Sequence, residues 1–146
     1  MKTKELDIIV LFPKIAHKVI HKMMNGFQSS QAEMNLNQTQ GRTLLFLYDN
    51  RETTMTTLHR VIGLEKGSLT SVIDHLIKKG LVERKRDDED RRKVNISLTE
   101  MGRKKVEILR MEIAGYIKRN LKKLPAEDRE RFYLAVEALM DISRKL

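Results

Sequence analysis

The stretch from residue 66 to residue 98 constrains the fold more than any other part of the chain. Apolar residues recur in its first half at the spacing of a helix with one buried face: Leu69, Val72, Ile73, Leu76 and Ile77. The opposite side of this helix carries small or polar residues: Gly67, Ser68, Thr70, Ser71, Asp74, His75 and Lys78. Gly80 stands where a glycine commonly ends a helix, and Lys78 and Lys79 lie beside the negative end of the helix dipole. The pattern predicts an amphipathic helix that ends just before Gly80.

Two short strands are predicted after this helix, over residues 81–86 and 94–98. In the second strand Val94, Ile96 and Leu98 alternate with polar residues, which is typical of a strand with one buried face. The run between the strands, Asp-Asp-Glu-Asp-Arg-Arg-Lys over residues 87–93, is too polar to be buried and suits a hairpin loop. A helix with a small polar outer face, followed by a hairpin with an arginine-rich tip, is a winged helix-turn-helix.

Helical segments are predicted on both sides of this unit. The first covers residues 6–26, where Pro13 either bends the helix or marks the end of a shorter lead-in segment. After a polar break at residues 28–34, Asn37 caps a helix that runs to about Asp49. Thr54 caps a third, short helix over residues 55–62, which Gly63 closes. The third helix and the amphipathic helix together form the helix-turn-helix.

Two further helices are predicted after the hairpin. Thr99 is a suitable N-cap for a long helix over residues 100–123, and Pro125 suits the first position of a final helix. The expected fold class is therefore mainly α with a small β-hairpin wing. The first helix and the last two present more apolar surface than a small helix-turn-helix core can cover. A helical dimerisation region explains this surface, and one monomeric helical domain is the alternative.

Length, charge and composition restrict the function classes. The 146 residues form one domain and include no cysteine, which excludes disulfides, thiolate metal sites and cysteine redox sensing. The net charge of +9 favours a polyanionic partner such as nucleic acid, although many solvated lysines on a soluble protein would give the same balance. Residues 66–105 hold 12 basic and 7 acidic side chains, so the excess is concentrated on the predicted unit. The longest apolar run near the start, residues 8–12, is too short for a membrane span, and a cytoplasmic protein without membrane contact is expected.

Residues 55–102 resemble the MarR family of bacterial transcription regulators. The similarity rests on four segments in a fixed order: Gly63-Leu64, then Leu-Ile-Lys-Lys-Gly-Leu-Val-Glu-Arg over residues 76–84, Asp-Asp-Glu-Asp-Arg-Arg over 87–92, and Leu-Thr-Glu-Met-Gly over 98–102. The flanking helices fit as well, so the similarity extends over the whole chain. The resemblance implies a homodimer with a helical dimerisation region from residues 1–34 and 103–146 and a DNA-binding lobe from residues 35–102. It also implies repression as the commoner outcome of binding.

The resemblance and the pattern together assign the DNA contacts of the amphipathic helix, which we call the recognition helix. Its amino-terminal end would enter the major groove of double-stranded DNA at a pseudo-palindromic operator. Hydrogen bonds to bases or phosphates are expected from Ser68, Thr70 and Ser71, close backbone approach from Gly67, and contacts to the DNA backbone from His75 and Lys78. Ser71 stands where many family members carry arginine. The alternative interpretation is that these residues form only a solvated face.

Arginines are the candidate DNA ligands of the wing. Arg91 and Arg92 at the hairpin tip could enter a narrow minor groove, while Arg84 and Arg86 on the preceding strand suit phosphate contacts. The Asp-x-Arg pattern of the family implies that Asp90 holds the shape of the wing, by pairing with Arg92. A winged-helix module that binds another protein, without specific DNA binding, is the competing function.

No catalytic constellation and no cofactor motif are present in the sequence, so an enzyme is not expected. His17 and His21 lie one helical turn apart like a zinc-binding pair, but no third ligand is nearby in sequence and no metal site is predicted. The resemblance implies a small aromatic or anionic effector bound beside the dimerisation helices. Lys14, His17, His21 and Met24 are the candidate ligands for it, and helix-surface residues are the alternative interpretation.

Overall fold

The computed structural model describes residues 5–30, 32–88, 90 and 92–146 of the chain. Its helices are α1 (Glu5–Met24), α2 (Gln38–Asp49), α3 (Met55–Ile62), α4 (Lys66–Lys78), α5 (Glu100–Leu121) and α6 (Ala126–Ser143). Its strands are β1 (Thr53–Thr54), β2 (Val82–Arg86) and β3 (Val94–Leu98), and one 3₁₀ turn covers Ala32–Met34. The predicted class, mainly helical with a small β wing, is confirmed.

Local capping signals set the limits of α2 and α3 as the sequence predicts. Asn37 accepts a hydrogen bond from the backbone N–H of Gln40 at 2.9 Å, and the Gln40 side chain accepts one from the Asn37 backbone at 3.0 Å. This reciprocal pair satisfies two of the donors that the start of α2 would otherwise leave unpaired. Thr54 accepts from the backbone of Thr57 at 3.2 Å, and Gly63 ends α3 with a left-handed φ of 74°.

The strands form one antiparallel sheet in the order β1-β3-β2. Val82 pairs with Leu98 at one end of the β2–β3 hairpin and Arg86 pairs with Val94 at the other. The two-residue strand β1 was not predicted, because a segment this short has no alternation of its own and is defined only by pairing with Ile96 and Asn95. β2 begins at Val82, one residue later than expected.

Two compact units can be distinguished, and each is described by itself. Residues 28–112 form the first, which holds α2 to α4, the sheet and the beginning of α5. Its core contains Leu44, Leu47, Leu58, Leu69, Ile73, Leu76, Ile96 and Val106, all at most 1% exposed. The buried side of α4 is thus the apolar face that the sequence predicts, and this burial fixes which face of α4 remains in solvent.

The second unit contains α1, the end of α5 from Ile113 onward, and α6. Tyr116 donates a hydrogen bond to the Asn25 carbonyl, and Asn120 donates to the Met23 carbonyl at 2.8 Å. Pro13 lies inside α1 and does not end a lead-in segment. A proline removes only one intrahelical hydrogen bond, so the turns on either side can keep the helix continuous.

The other helix limits differ from the predictions by one or two residues. α5 ends at Leu121, and Pro125 is the N-cap of α6 with an extended ψ of 147°, so the helix starts at Ala126. The Pro125 carbonyl accepts the first hydrogen bond of α6 from Arg129 N at 3.0 Å. An N-cap residue contributes its carbonyl in this way while its own backbone stays outside the helical region.

Candidate nucleic-acid interface

The junction between α4 and α5 positions the recognition helix, α4. Gly80 adopts a left-handed φ of 69°, and its carbonyl accepts a hydrogen bond from the Thr99 hydroxyl at 2.6 Å. Thr99 also caps α5, because its hydroxyl oxygen accepts from Gly102 N at 2.9 Å. The Thr99 backbone N–H donates to the Leu81 carbonyl at 3.1 Å. One threonine therefore joins the end of α4 to the start of α5.

Close packing against Leu81 explains why the last residue of the Leu-Thr-x-x-Gly segment, Gly102, is a glycine. A Cβ at this position would lie 2.8 Å from the Leu81 carbonyl carbon and 3.0 Å from its Cα, and closer still to the carbonyl oxygen. Real carbon–carbon contacts lie near 3.5–4.0 Å, about 1 Å further apart. Only glycine allows the first turn of α5 to approach the Leu81 backbone this closely.

The predicted contact residues of α4 all lie on the solvent side. Gly67, Ser68, Thr70, Ser71, His75 and Lys78 are exposed, whereas Leu69, Ile73 and Leu76 are buried beneath them. A Cβ at Gly67 would meet open space, so the backbone of the first turn can be approached from outside. Glu65 is the N-cap residue but makes no side-chain capping bond, and α4 starts at Lys66. After Glu65 at the N-cap, the first turn of α4 contains no acidic residue.

An ion pair joins the recognition helix to the wing. Arg84 Nη2 of β2 lies 2.8 Å from Asp74 Oδ1 of α4. Asp74 is the one carboxylate between Lys66 and Lys79 in the sequence, so this contact offsets the only acidic charge of α4. Both side chains are partly exposed, at 37% and 48%, and the pair contributes little to folding stability on its own. Sequence reasoning missed this pairing, because nothing in the local pattern of either segment connects residue 74 with residue 84.

Two acidic side chains, Asp87 and Asp90, accept hydrogen bonds that hold the wing loop together. Asp87 Oδ1 accepts a hydrogen bond from Asp90 N at 2.9 Å, and its Oδ2 accepts from Asn95 Nδ2 at 3.3 Å. Asp90 Oδ1 accepts from the backbone N–H of Arg92 at 3.0 Å. The contact between Asp90 and Arg92 thus uses the Arg92 backbone, and the Arg92 side chain remains exposed. Arg91 lies outside the described residues.

The basic side chains of β2 have different surroundings. Lys85 Nζ lies 3.0 Å from Glu83 Oε1, and the hydrogen bond to this carboxylate raises the pKa of Lys85 above its ordinary value. Arg84 is held by Asp74, as described above. Arg86 is exposed and has no ion pair with any residue that the structure describes. Arg86, Arg92 and Lys93 are therefore the described wing cations whose charge is not offset by a described carboxylate.

The candidate effector ligands lie on α1, in the other compact unit. Lys14, His17 and His21 are exposed and Met24 is half-buried. The His17 and His21 rings are stacked, with centroids 6.3 Å apart and planes at 24°. Within the described part of the chain, no group of three or more histidine, cysteine or acidic residues could hold a metal ion. No described helix combines the length and the apolar character needed to cross a membrane.

Comparison with known proteins agrees with this geometry. The family model described as "MarR family" matches residues 36–94, the segment from the start of α2 to the wing. The chain carries a MarR-family domain. The matched segment contains α2, the helix-turn-helix, β2 and the wing loop, and it ends at the first residue of β3.

Two relatives from Bacillus subtilis (strain 168) extend the similarity at the sequence level. The organic hydroperoxide resistance transcriptional regulator is 32% identical over 81 residues, which are 56% of this chain and 55% of that protein. The chain thus spans about half the length of this relative. The HTH-type transcriptional regulator YfiV is 27% identical over all 146 residues and 87% of its own length.

Solved structures share the fold of most of the chain. The reduced form of MarR from E. coli superposes with a TM-score of 0.74 at 22% identity, over 87% of this chain and 94% of that one. RV1404 from Mycobacterium tuberculosis also gives a TM-score of 0.74, at 21% identity, over 96% and 95% of the two chains. The flanking helices therefore belong to the same fold as the MarR domain.

Proposed function

We propose that this chain is a sequence-specific, DNA-binding transcription regulator that acts as a homodimer on a pseudo-palindromic operator. The observation that carries the proposal is the solvent-exposed polar face of α4, which the Arg84–Asp74 pair links to a basic hairpin within a MarR domain. Ser68, Thr70 and Ser71 read the major groove, and the open backbone at Gly67 approaches a phosphate. His75 and Lys78, further along α4, contact the DNA backbone.

The wing supplies electrostatic affinity in this proposal. Arg92 and Arg91 enter the minor groove beside the recognition site, and Arg86 contacts a phosphate. Arg84 acts mainly by holding β2 against Asp74 and contacts DNA only from that position. Asp90 shapes the tip by fixing the backbone of Arg92. Phosphate contacts set the register of the protein on DNA, whereas the α4 side chains supply the sequence preference.

Dimerisation is supported by apolar side chains that a single chain leaves in solvent. Ile8, Ile15 and Ile20 of α1 and Leu134, Met140 and Ile142 of α6 are 52–59% exposed. An apolar surface of this kind on both terminal helices is typical of a subunit interface. We expect the protein to sediment at twice its chain mass of 17.1 kDa. Two recognition helices would then contact half-sites about one DNA turn, roughly 34 Å, apart.

Repression that responds to a small effector is the regulatory part of the proposal. A dimer bound to a promoter excludes polymerase. An effector that binds the free dimer more tightly than the DNA-bound dimer would release the dimer from the promoter. Lys14, His17, His21 and Met24 are the proposed effector ligands, because their basic and thioether groups suit an aromatic acid. Benzoate serves as the probe. It should weaken operator binding by the wild type and have less effect on His17→Ala and His21→Ala.

A salt titration with three variants tests the DNA-binding proposal. Arg92→Ala and Ser71→Ala should each weaken operator binding about tenfold, equivalent to about 1.4 kcal/mol, and leave the dimer intact. Arg131→Ala is the matched control, because it removes an arginine from α6, outside the unit that holds α4 and the wing. Arg92→Ala should also lower the slope of log affinity against log salt by about one.

Operator binding by Arg92→Ala with wild-type affinity would refute the wing assignment. An equal loss for Arg131→Ala would show that only net charge matters. If the folded wild type binds no DNA, the competing function, a winged-helix module for protein partners, becomes the better interpretation.

A further inference from the structure

A basic cavity lies between α5 and α6, in the unit that does not contain the recognition helix. It has a volume of about 400 Å³ and is lined by Lys118, Lys122, Arg129 and Tyr133. Lys118 lies in the last turn of α5, and Lys122 follows the end of that helix, where its backbone N–H donates to the Lys118 carbonyl at 3.1 Å. Arg129 and Tyr133 are one turn apart on α6 and project from the same side of it. No acidic residue contributes to this lining.

Lys118, Lys122 and Arg129 have no carboxylate partner among the residues that the structure describes. Adjacent basic side chains are engaged elsewhere. Lys123 donates a hydrogen bond to Asn120 at 2.8 Å, Arg119 lies 5.7 Å from the centroid of the Tyr116 ring, and Arg131 pairs with Asp128 at 3.5 Å. Asp128, the residue just before Arg129, is therefore already paired with Arg131. Three like charges around one cavity repel each other, and a bound anion would relieve that repulsion.

We propose that this cavity is a binding site for a small multivalent oxyanion, either a phosphate ester or a polycarboxylate. The Arg129 guanidinium offers a planar pair of donors that matches two oxygens of one phosphate or carboxylate group. Lys118 and Lys122 add two mobile ammonium donors, and the Tyr133 hydroxyl adds a neutral one. The volume lies in the range of ordinary small-molecule sites. The site is distinct from the candidate effector residues of α1, and it does not depend on DNA binding.

Isothermal titration of the full-length protein tests the site, with sodium pyrophosphate and tricarballylate as probes. Sodium chloride keeps the ionic strength constant, so that nonspecific screening is the same in every titration. The double variant K122Q/R129Q removes two cavity cations. K123Q/R131Q is its matched control, because it has the same net charge and the same residue types changed in the same two segments, the turn after α5 and the helix α6. Thermal unfolding of both variants verifies that each is folded.

The proposal predicts saturable binding of at least one probe by the wild type and by K123Q/R131Q with similar affinity. K122Q/R129Q should bind that probe at least tenfold more weakly, and Tyr133→Phe, which keeps the ring but loses the hydroxyl, about threefold more weakly. Tighter binding of pyrophosphate identifies a phosphate ester as the natural class, and tighter binding of tricarballylate identifies a polycarboxylate.

Two results would overturn the proposal. One is the absence of saturable binding of both probes by the wild type. If K122Q/R129Q then also loses duplex-DNA binding, these cations are assigned to DNA phosphates. The other is an equal loss of affinity in K122Q/R129Q and K123Q/R131Q, which would make the effect one of net charge alone.

Discussion

Replacing Gly102 by alanine should destabilise the protein, although alanine is the better helix former. The new Cβ would lie 2.8 Å from the Leu81 carbonyl carbon, so the first turn of α5 must move by about 1 Å to restore ordinary contact. That movement opposes two hydrogen bonds of Thr99, to the Gly80 carbonyl at 2.6 Å and to the Leu81 carbonyl at 3.1 Å. Strain and weakened hydrogen bonds therefore act together at the junction between α4 and α5.

The magnitude follows from three contributions. Overpacking of a tight contact costs about 1–3 kcal/mol, and weakening two hydrogen bonds costs about 1–2 kcal/mol more. The greater helix propensity of alanine offsets about 1 kcal/mol of this loss. The free energy of unfolding of Gly102→Ala should therefore be lower than that of the wild type by about 1–4 kcal/mol, with a middle value of about 2.5 kcal/mol. With a typical urea dependence, the unfolding midpoint falls by about 1 M or more.

Urea unfolding at equal protomer concentration measures this difference, with Gly115→Ala in the same helix as the control. A Cβ at Gly115 would meet Arg119 Nη1 at 3.5 Å, an ordinary contact with the end of a flexible side chain. Gly115→Ala should therefore raise the free energy of unfolding by up to about 1 kcal/mol. The reasoning is refuted if Gly102→Ala has wild-type stability or is stabilised like its control.

Three further predictions concern the interface and one loop contact. Arg84→Ala should weaken operator binding about tenfold, and adding Asp74→Ala should restore much of it in fluorescence anisotropy, because the carboxylate left unpaired beside DNA is then removed. Gly67→Ala should raise the free energy of unfolding by about 0.5–1 kcal/mol yet weaken operator binding, because its Cβ projects into the open space that a phosphate would occupy. Glu112→Gln should reduce the loss of stability in acid, measured by urea midpoints from pH 7 to pH 3. Hydrogen bonds from Ser29 and Ser30 lower the pKa of Glu112 below its ordinary 4.5 in the folded protein.

The sign of the Glu112 effect follows from proton linkage. The unfolded chain binds this proton at a higher pH than the folded one, so the stabilisation is present above the ordinary pKa and is lost as pH falls through the lowered one. A wild type and a Glu112→Gln variant with parallel acid profiles would contradict it. The Arg84 prediction is contradicted if the losses of operator affinity from Arg84→Ala and Asp74→Ala simply add in the double variant. The Gly67 prediction is contradicted if Gly67→Ala binds operator with unchanged affinity.

Local signals made much of the fold predictable. Asn37 and Thr54 cap α2 and α3 through hydrogen bonds to residues three positions later, and Gly63 and Gly80 adopt the positive φ that ends a helix. These contacts lie within a few residues of each other, so the sequence pattern contains both partners. The burial of Leu69, Ile73 and Leu76, which exposes the recognition face, follows from helical periodicity alone.

Contacts between distant segments could not be predicted in the same way. Strand β1 exists only because Thr53 and Thr54 pair with β3, and the ion pair of Asp74 with Arg84 depends on how β2 packs beside α4. The basic cavity likewise requires α5 and α6 to bring Lys122 and Arg129 together. The motif around Thr99 could be recognised as a pattern, but its cause, the close approach of Gly102 to Leu81, appears only in three dimensions.

Fluorescence anisotropy of the purified protein on the DNA upstream of its own gene, against scrambled DNA of equal length, tests the central proposal most directly. The titration is repeated at several salt concentrations, because affinity at a single salt concentration does not separate sequence preference from charge. A specific dimeric regulator should prefer its own DNA by two or more decades with two chains bound per site. Equal, weak and salt-sensitive binding to both DNAs would contradict the proposal and leave only a basic protein attracted to a polyanion.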